Sequence, residues 1–105
     1  MVALNEIQEL TRRIAEEFHP DKIILFGSHA YGVPKEYSDV DLLVIMPFEG
    51  HSFDKSMEIL NKLDPDFSVD VIVRDPIDAA RRYHEYDPLI RDAFDRGTVL
   101  HERRG

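Results

Sequence analysis

Cysteine is absent from this chain of 105 residues, and with it any disulfide, thiolate nucleophile or thiolate metal site. Long apolar runs are missing too. None approaches the roughly 20 residues that cross a bilayer, and no secretory-type stretch precedes the first helical pattern. No membrane association is expected, and the default home is the cytoplasm. Basic charge is also short: lysine and arginine number 13 against 21 acidic residues, a formal charge of −8. Such a chain repels nucleic acid at long range unless a basic stripe compensates. Here the basic residues are dispersed. Lys22, Lys35, Lys55 and Lys62 stand singly, and the adjacent pairs are Arg12-Arg13, Arg81-Arg82 and Arg103-Arg104. A nucleic-acid polymerase is therefore not expected, nor direct nucleic-acid binding. Repeats, low-complexity tracts and linkers are absent as well. What remains, 43% hydrophobic and 32% charged, reads as one folded domain over residues 1–105 with a modest core.

Hydrophobic spacing gives the order of elements. Leu4, Ile7, Leu10, Ile14 and Phe18 recur at steps of three and four, which predicts a helix over 3–18 that His19-Pro20-Asp21 ends. Lys22–Phe26 reads as a buried strand, and Gly27 and Gly32 bracket a turn entering a short helix around Ala30. Val33–Tyr37 reads as a loop. Val40–Met46, apolar on both faces after Asp41, predicts a central strand covered by helices on each side. Ser52–Leu63 is amphipathic, with Phe53, Met57 and Leu60 as its buried stripe and Ile59 and Leu63 at the margins. Phe67–Val73 alternates as a strand, placing Asp70 on the face opposite Phe67, Val69, Val71 and Val73. Asp75-Pro76 and Asp87-Pro88 are aspartate caps followed by proline, predicting helices over Pro76–Tyr86 and Pro88–Arg96, with Gly97 capping the second. Thr98–His101 reads as an edge strand and 102–105 as a frayed tail. The fold class is α/β (α+β in some schemes): a small mixed sheet of three to four strands flanked by helices.

The chemistry concentrates between Gly27-Ser28 and Asp39-Val40-Asp41. Asp39 and Asp41, two apart at the start of a strand, project to one face. If the strand of Asp70 pairs with theirs, three carboxylates converge. Without a cation they would repel one another, whereas Mg²⁺ prefers hard oxygen ligands and leaves positions for substrate phosphates. Gly27 lets backbone approach those phosphates, and the Ser28 hydroxyl can donate to one of their oxygens. Other readings of the same residues fail. Val33-Pro34 stands where a P-loop needs Lys-Ser/Thr, and Leu43 stands at the third ligand position of an EF-hand. A sugar-nucleotide fold with D-x-D would hardly fit this length. The remaining histidines (His19, His51, His84, His101) show no metal-ligand spacing, and Tyr83 and Tyr86 read as helix packing.

Gly27-Ser28, ten intervening residues, Asp39-Val40-Asp41 and a later Asp70 together resemble the polymerase-β-like nucleotidyltransferase superfamily. Within it the chain is similar to the minimal nucleotidyltransferases, small MntA-type antitoxins paired with a helical HEPN toxin, over about residues 4–101. The resemblance implies a polymerase-β-like nucleotidyltransferase fold. It implies that Gly27 and Ser28 hold the nucleotide's phosphates and that Asp39 and Asp41 bind two Mg²⁺ ions (or Mn²⁺). Asp70 would bind the catalytic ion and help deprotonate the acceptor. It further implies transfer of AMP from ATP to a hydroxyl, a tyrosine of the HEPN partner, in a type VII-like toxin–antitoxin pair. The alternatives are an antitoxin that acts by steric binding alone and transfer to a small molecule such as an aminoglycoside, for which a homo-oligomer could supply a second wall. Many relatives carry arginine between the two glycines. His29 and Tyr31 stand there in this chain, and their expected role is helix-cap packing rather than phosphate contact.

Overall fold

The computed structural model describes residues 2–104. The order is α1 (Leu4–Phe18), β1 (Lys22–Phe26), α2 (Ser28–Tyr31), β2 (Val40–Ile45), α3 (Ser52–Leu63), β3 (Val69–Arg74), α4 (Pro76–His84), α5 (Pro88–Arg96) and β4 (Thr98–Glu102). The strands form one mixed sheet in the order β3-β2-β1-β4. β1 runs antiparallel to β2 and to β4, while β2 and β3 are parallel, joined through α3. A parallel pair needs such a crossover, because no tight turn can return the chain to the same end of the sheet.

Strand alternation divides the core into two layers. Val40, Leu42 and Val44 of β2, with Ile23 and Leu25 of β1, meet Ile7, Leu10 and Ile14 of α1 and Ile59 and Leu63 of α3. Leu43 and Ile45, with Ile24 and Phe26, meet Ala79 of α4 and Ile90 and Ala93 of α5. The central strands are thus covered on both faces, as the apolar run of β2 predicts. Each fully buried aliphatic side chain stabilises this arrangement by about 1.5–3 kcal/mol.

Local chemistry sets the element ends. Glu6 folds back so that its carboxylate accepts from the Ala3 amide, 3.0 Å away. His19 and Asp64 close α1 and α3 in the left-handed conformation, at φ 50° and 43°. Asp75 accepts from the Ile77 amide and Asp87 from those of Leu89 and Ile90, the caps expected from Asp-Pro. Gly97 does end α5, but at φ −73° rather than in a left-handed cap. Glycine is required there for space: a Cβ would lie 2.7 Å from both Ile24 Cγ2 and the Leu25 carbonyl of β1.

Three expectations need correction. On α3 the buried residues are Ser56, Ile59 and Leu63, while Phe53 is 71% and Met57 38% exposed and Leu60 is partly buried. Ser56 can face the core because its hydroxyl donates to the Ser52 carbonyl, so no polar group is left unsatisfied. Tyr86 lies past the end of α4, exposed and at φ 63°, rather than packed in a helix. The expected frayed tail is partly ordered: Glu102 completes β4 and the Arg103 amide donates to the Asp21 carbonyl. Gly105, at its tip, lies outside the described residues.

Candidate active site

Ladder register builds this site. Phe26, the last residue of β1, pairs with Asp41 of β2, so the next residue, Gly27, turns directly beside the Asp41 carboxylate. Gly27 has φ 76°, and a Cβ there would lie 3.2 Å from Asp41 Cγ and closer still to Oδ2. Both facts require glycine. On the other side Asp41 is in register with Asp70 of β3, which puts the two carboxylates on one face at the same end of the sheet. Asp39 stands two residues before Asp41, exposed, with Oδ1 accepting from the Ser68 hydroxyl at 2.5 Å.

The electrostatics follow from that crowding. Burial raises the Asp41 pKa first, and the negative charges of Asp70 and Asp39 raise it further; nearby His29 pulls it back down. No ion pair reaches Asp39, Asp41 or Asp70 among the described residues. The three acids share a sheet end, yet among the described residues no three such side chains are already gathered into a closed cage. Asp39 is turned toward Ser68 instead. The donors are the hard oxygens that Mg²⁺ takes, and mutual repulsion without a cation is what a site completed by an arriving cation would show.

α2 holds the other half. The amides of Ala30 and Tyr31 bond back to the Gly27 carbonyl, leaving those of Ser28 and His29 without an acceptor inside the helix. Tyr31 packs against the α4–α5 layer, with the Arg96 guanidinium 4.0 Å from its ring centre. His29 is different. Both ring nitrogens are buried and neither has a partner among the described residues, so packing alone leaves polar atoms unsatisfied. Ser68 was not among the sequence candidates, although its signal existed: two residues before Asp70, it shares that residue's face in an extended chain.

Residues 7–100 match the family model described as a nucleotidyltransferase domain. The chain belongs to that family. Nucleotidyltransferase is accordingly the enzyme class, and the polymerase-β-like architecture expected from Gly27-Ser28 and Asp39-Val40-Asp41 is the one observed. Two relatives from Methanocaldococcus jannaschii share the name "Putative protein adenylyltransferase". One (MJ1215) is 32% identical over 83 residues, 73% of this chain and 95% of that protein. The other (MJ1305) is 51% identical over 43 residues, 39% of this chain and only 29% of that protein. A Sulfolobus solfataricus structure, named a putative nucleotidyltransferase, superposes with TM-score 0.66 at 23% identity, over 95% of this chain and 80% of that one. A toxin–antitoxin complex crystallised with AMP-PNP superposes at 0.55 and 20% identity, over 98% and 76% of the two chains. The MntA-HpeT toxin–antitoxin, in a mutant form, gives 0.53 at 18% identity with the same coverage. At these identities the structures show a shared nucleotidyltransferase fold. No described helix is long and apolar enough to cross a membrane.

Proposed function

We propose that this nucleotidyltransferase transfers AMP from ATP to a hydroxyl of another protein, a tyrosine of a helical HEPN-type toxin that it thereby neutralises. The observation that carries the reading is the Gly27 turn pressed against Asp41, with Asp70 in register on the far side. The Gly27 turn on one flank of Asp41 and the exposed Asp70 on the other support a reading with phosphate on the first side and the acceptor on the second. The name shared by the two Methanocaldococcus relatives supports protein as acceptor. The toxin–antitoxin complexes among the structural neighbours make such a toxin the acceptor to test first. The cytoplasm, which supplies ATP, is the corresponding setting.

In this reading the amides of Ser28 and His29 and the Ser28 hydroxyl hold the triphosphate. Asp39, Asp41 and Asp70 would hold Mg²⁺, which when bound neutralises phosphate charge and lowers the barrier to in-line displacement. Asp70, exposed at the sheet edge, accepts the proton of the acceptor hydroxyl as its oxygen attacks the α-phosphorus. The bond from that phosphorus to the bridging oxygen breaks, pyrophosphate leaves with the electron pair, and AMP stays on the acceptor as a phosphodiester.

The test uses ATP labelled at the α-phosphate, Mg²⁺ and, as candidate acceptor, the product of the neighbouring gene. Label should appear on the partner and vanish when Asp39 and Asp41 are both changed to asparagine, a loss on the order of 10³-fold or more. Label that persists in the double variant would sink the assignment of those acids. Neutralisation that survives it would favour steric binding over chemistry. Without a partner, Mg²⁺ and ATP together should raise Tm by binding only the folded state, and Asp70→Asn should remove the effect.

A further inference from the structure

The sheet order leaves β3 at an edge. In its parallel ladder the Ser68 carbonyl accepts from Val40 and the Arg74 carbonyl from Met46. The backbone of residues 70, 72 and 74 therefore points at β2, and that of Val69, Val71 and Val73 points outward. The Val73 carbonyl is capped, accepting from Ser52 Oγ at 2.7 Å and Arg74 Nη1 at 2.8 Å. At Val69 and Val71 no such cap exists among the described residues. Beside this open stretch runs a groove of about 250 Å³ between α3 and β3, walled by Phe53, Met57 and Leu60 and reaching Asp70. The exposed apolar side chains of α3, Phe53 and Met57, thus lie along an unprotected strand edge that leads into the site, with the partly buried Leu60 beside them.

We infer that this edge is the docking strip for the acceptor: an extended segment of the modified protein adds to the sheet beside Val69–Val71. The inference rests on the hydroxyl-transfer reading above. Free amides and carbonyls in strand geometry select a polypeptide in extended form. Alternation then fixes which side chain goes where. The residue opposite Asp70 projects onto the carboxylate face, and its two neighbours project onto the Phe53–Met57–Leu60 wall. The segment that fits is a hydroxyl residue, tyrosine by reach, between two apolar residues. Its flanks should be basic, because Asp64 and Asp66 precede β3 and Asp39 and Asp70 line the open end, in a chain of charge −8. A second copy of this chain, carrying the same negative charge, is the poorer occupant.

The probe is a capped peptide, Lys-Lys-Leu-Tyr-Leu-Lys-Lys, carrying a fluorophore at one end. Its control bears N-methyl groups on the tyrosine and both leucines, which removes main-chain donors while keeping every side chain. Binding by anisotropy should be roughly tenfold weaker for the control, as expected for losing one or two main-chain hydrogen bonds and crowding the strand edge with methyl groups. A similar loss is expected for Phe53→Ser with Met57→Ser, whose side chains are exposed, and for Val69→Pro, which removes an outward amide together with a partly buried side chain. The Tm rise with Mg²⁺ and ATP should be unchanged in each variant, confirming a folded site. Equal binding of parent and N-methylated peptide overturns the docking strip, as does no binding at millimolar peptide. Discriminating binding without transfer of labelled AMP would uphold the strip and count against the transfer reading instead. Self-association lost in the Phe53 and Met57 variant would assign the edge to a second copy and overturn the inference.

Discussion

Two groups of carboxylates sit in this protein under opposite rules. Between α4 and α5, Arg82 bridges Asp78 at 2.9 Å and Asp87 at 3.2 Å, and Arg81 adds a second cation to Asp78. The hydrogen bond from Arg82 is the main cause holding the Asp78 carboxyl below the usual range. For Asp87 burial pushes upward, but the Ile90 amide, Arg82 and the Leu89 amide together win and lower it. At the start of β2 no ion pair reaches Asp39, Asp41 or Asp70 among the described residues, and Asp41 moves the other way despite the opposing pull of His29. One group is neutralised by its own chain and locks two helices together. The other is left with net negative charge at an open sheet end, an arrangement that costs stability and is useful when something positive arrives.

The comparison breaks hardest at Gly27. Alanine there must adopt φ 76° and must also displace the Asp41 carboxylate. We expect a loss of about 1–3 kcal/mol from the backbone alone, with Tm falling about 4–8 °C per kcal/mol for a chain of this size. The Tm rise given by Mg²⁺ and ATP should disappear. Gly50 is the control: its φ is 83°, but nothing lies within 4 Å of an added Cβ. Gly50→Ala should carry the strain without the clash and leave the nucleotide response intact. An unaltered nucleotide response in Gly27→Ala would show that the turn does not shape the site.

Removing a charge from each group should have opposite consequences. Arg82→Ala is expected to cost about 0.5–1 kcal/mol, a value kept low because the pair is partly exposed and screened. Asp41→Asn, in metal-free buffer at pH 7, should stabilise by a few tenths of a kcal/mol, again small because Asp41 is only partly buried. The pH dependence separates them. Asp78 and Asp87 have lowered folded values, so their stabilisation is complete above about pH 4, where unfolded carboxylates ionise. It is lost as pH falls through the folded values, so the deficit of Arg82→Ala should shrink with acid. Asp41 has a raised folded value, so its charge destabilises above that value and the penalty fades as pH falls through it. The advantage of Asp41→Asn should therefore be largest near neutrality and vanish in acid. Chemical denaturation in EDTA between pH 3 and 8 checks both. Parallel pH profiles for the two variants would erase the distinction between the groups.

Much of this was legible from residue order, for reasons that also explain the misses. An apolar run opened by Asp-x-Asp marks a central strand whose polar end is exposed, and strand alternation placed Asp70 on the right face. Gly27, Ser28, Asp39, Asp41 and Asp70 do lie at one end of the sheet. The α3 stripe misled because periodicity finds the largest apolar side chains, not the buried ones. Ser56 could join the core by satisfying its hydroxyl on its own helix, leaving Phe53 and Met57 for the sheet edge. His29 is packed as expected of a cap residue's neighbour, but spacing cannot show that both its buried ring nitrogens lack partners among the described residues. Ser68 was missed because its role depends on pairing with a residue 29 positions away.

Ser68 makes the mildest test. Its hydroxyl occupies one oxygen of Asp39 and leaves the other free, so it orients the carboxylate rather than blocking it. Ser68→Ala removes an exposed side chain, and stability should change by no more than about 0.5 kcal/mol. A freed Asp39 should instead raise the Mg²⁺ concentration needed for the half-maximal Tm response with ATP by about tenfold, the lower end for loss of a group that orients a ligand. Ser68→Thr keeps the hydroxyl and should restore the parent value. A metal requirement that falls in Ser68→Ala would mean that the serine competes with the cation for Asp39. The exposed acid would then be held back by the chain itself, and the contrast with Asp78 and Asp87 would be one of degree.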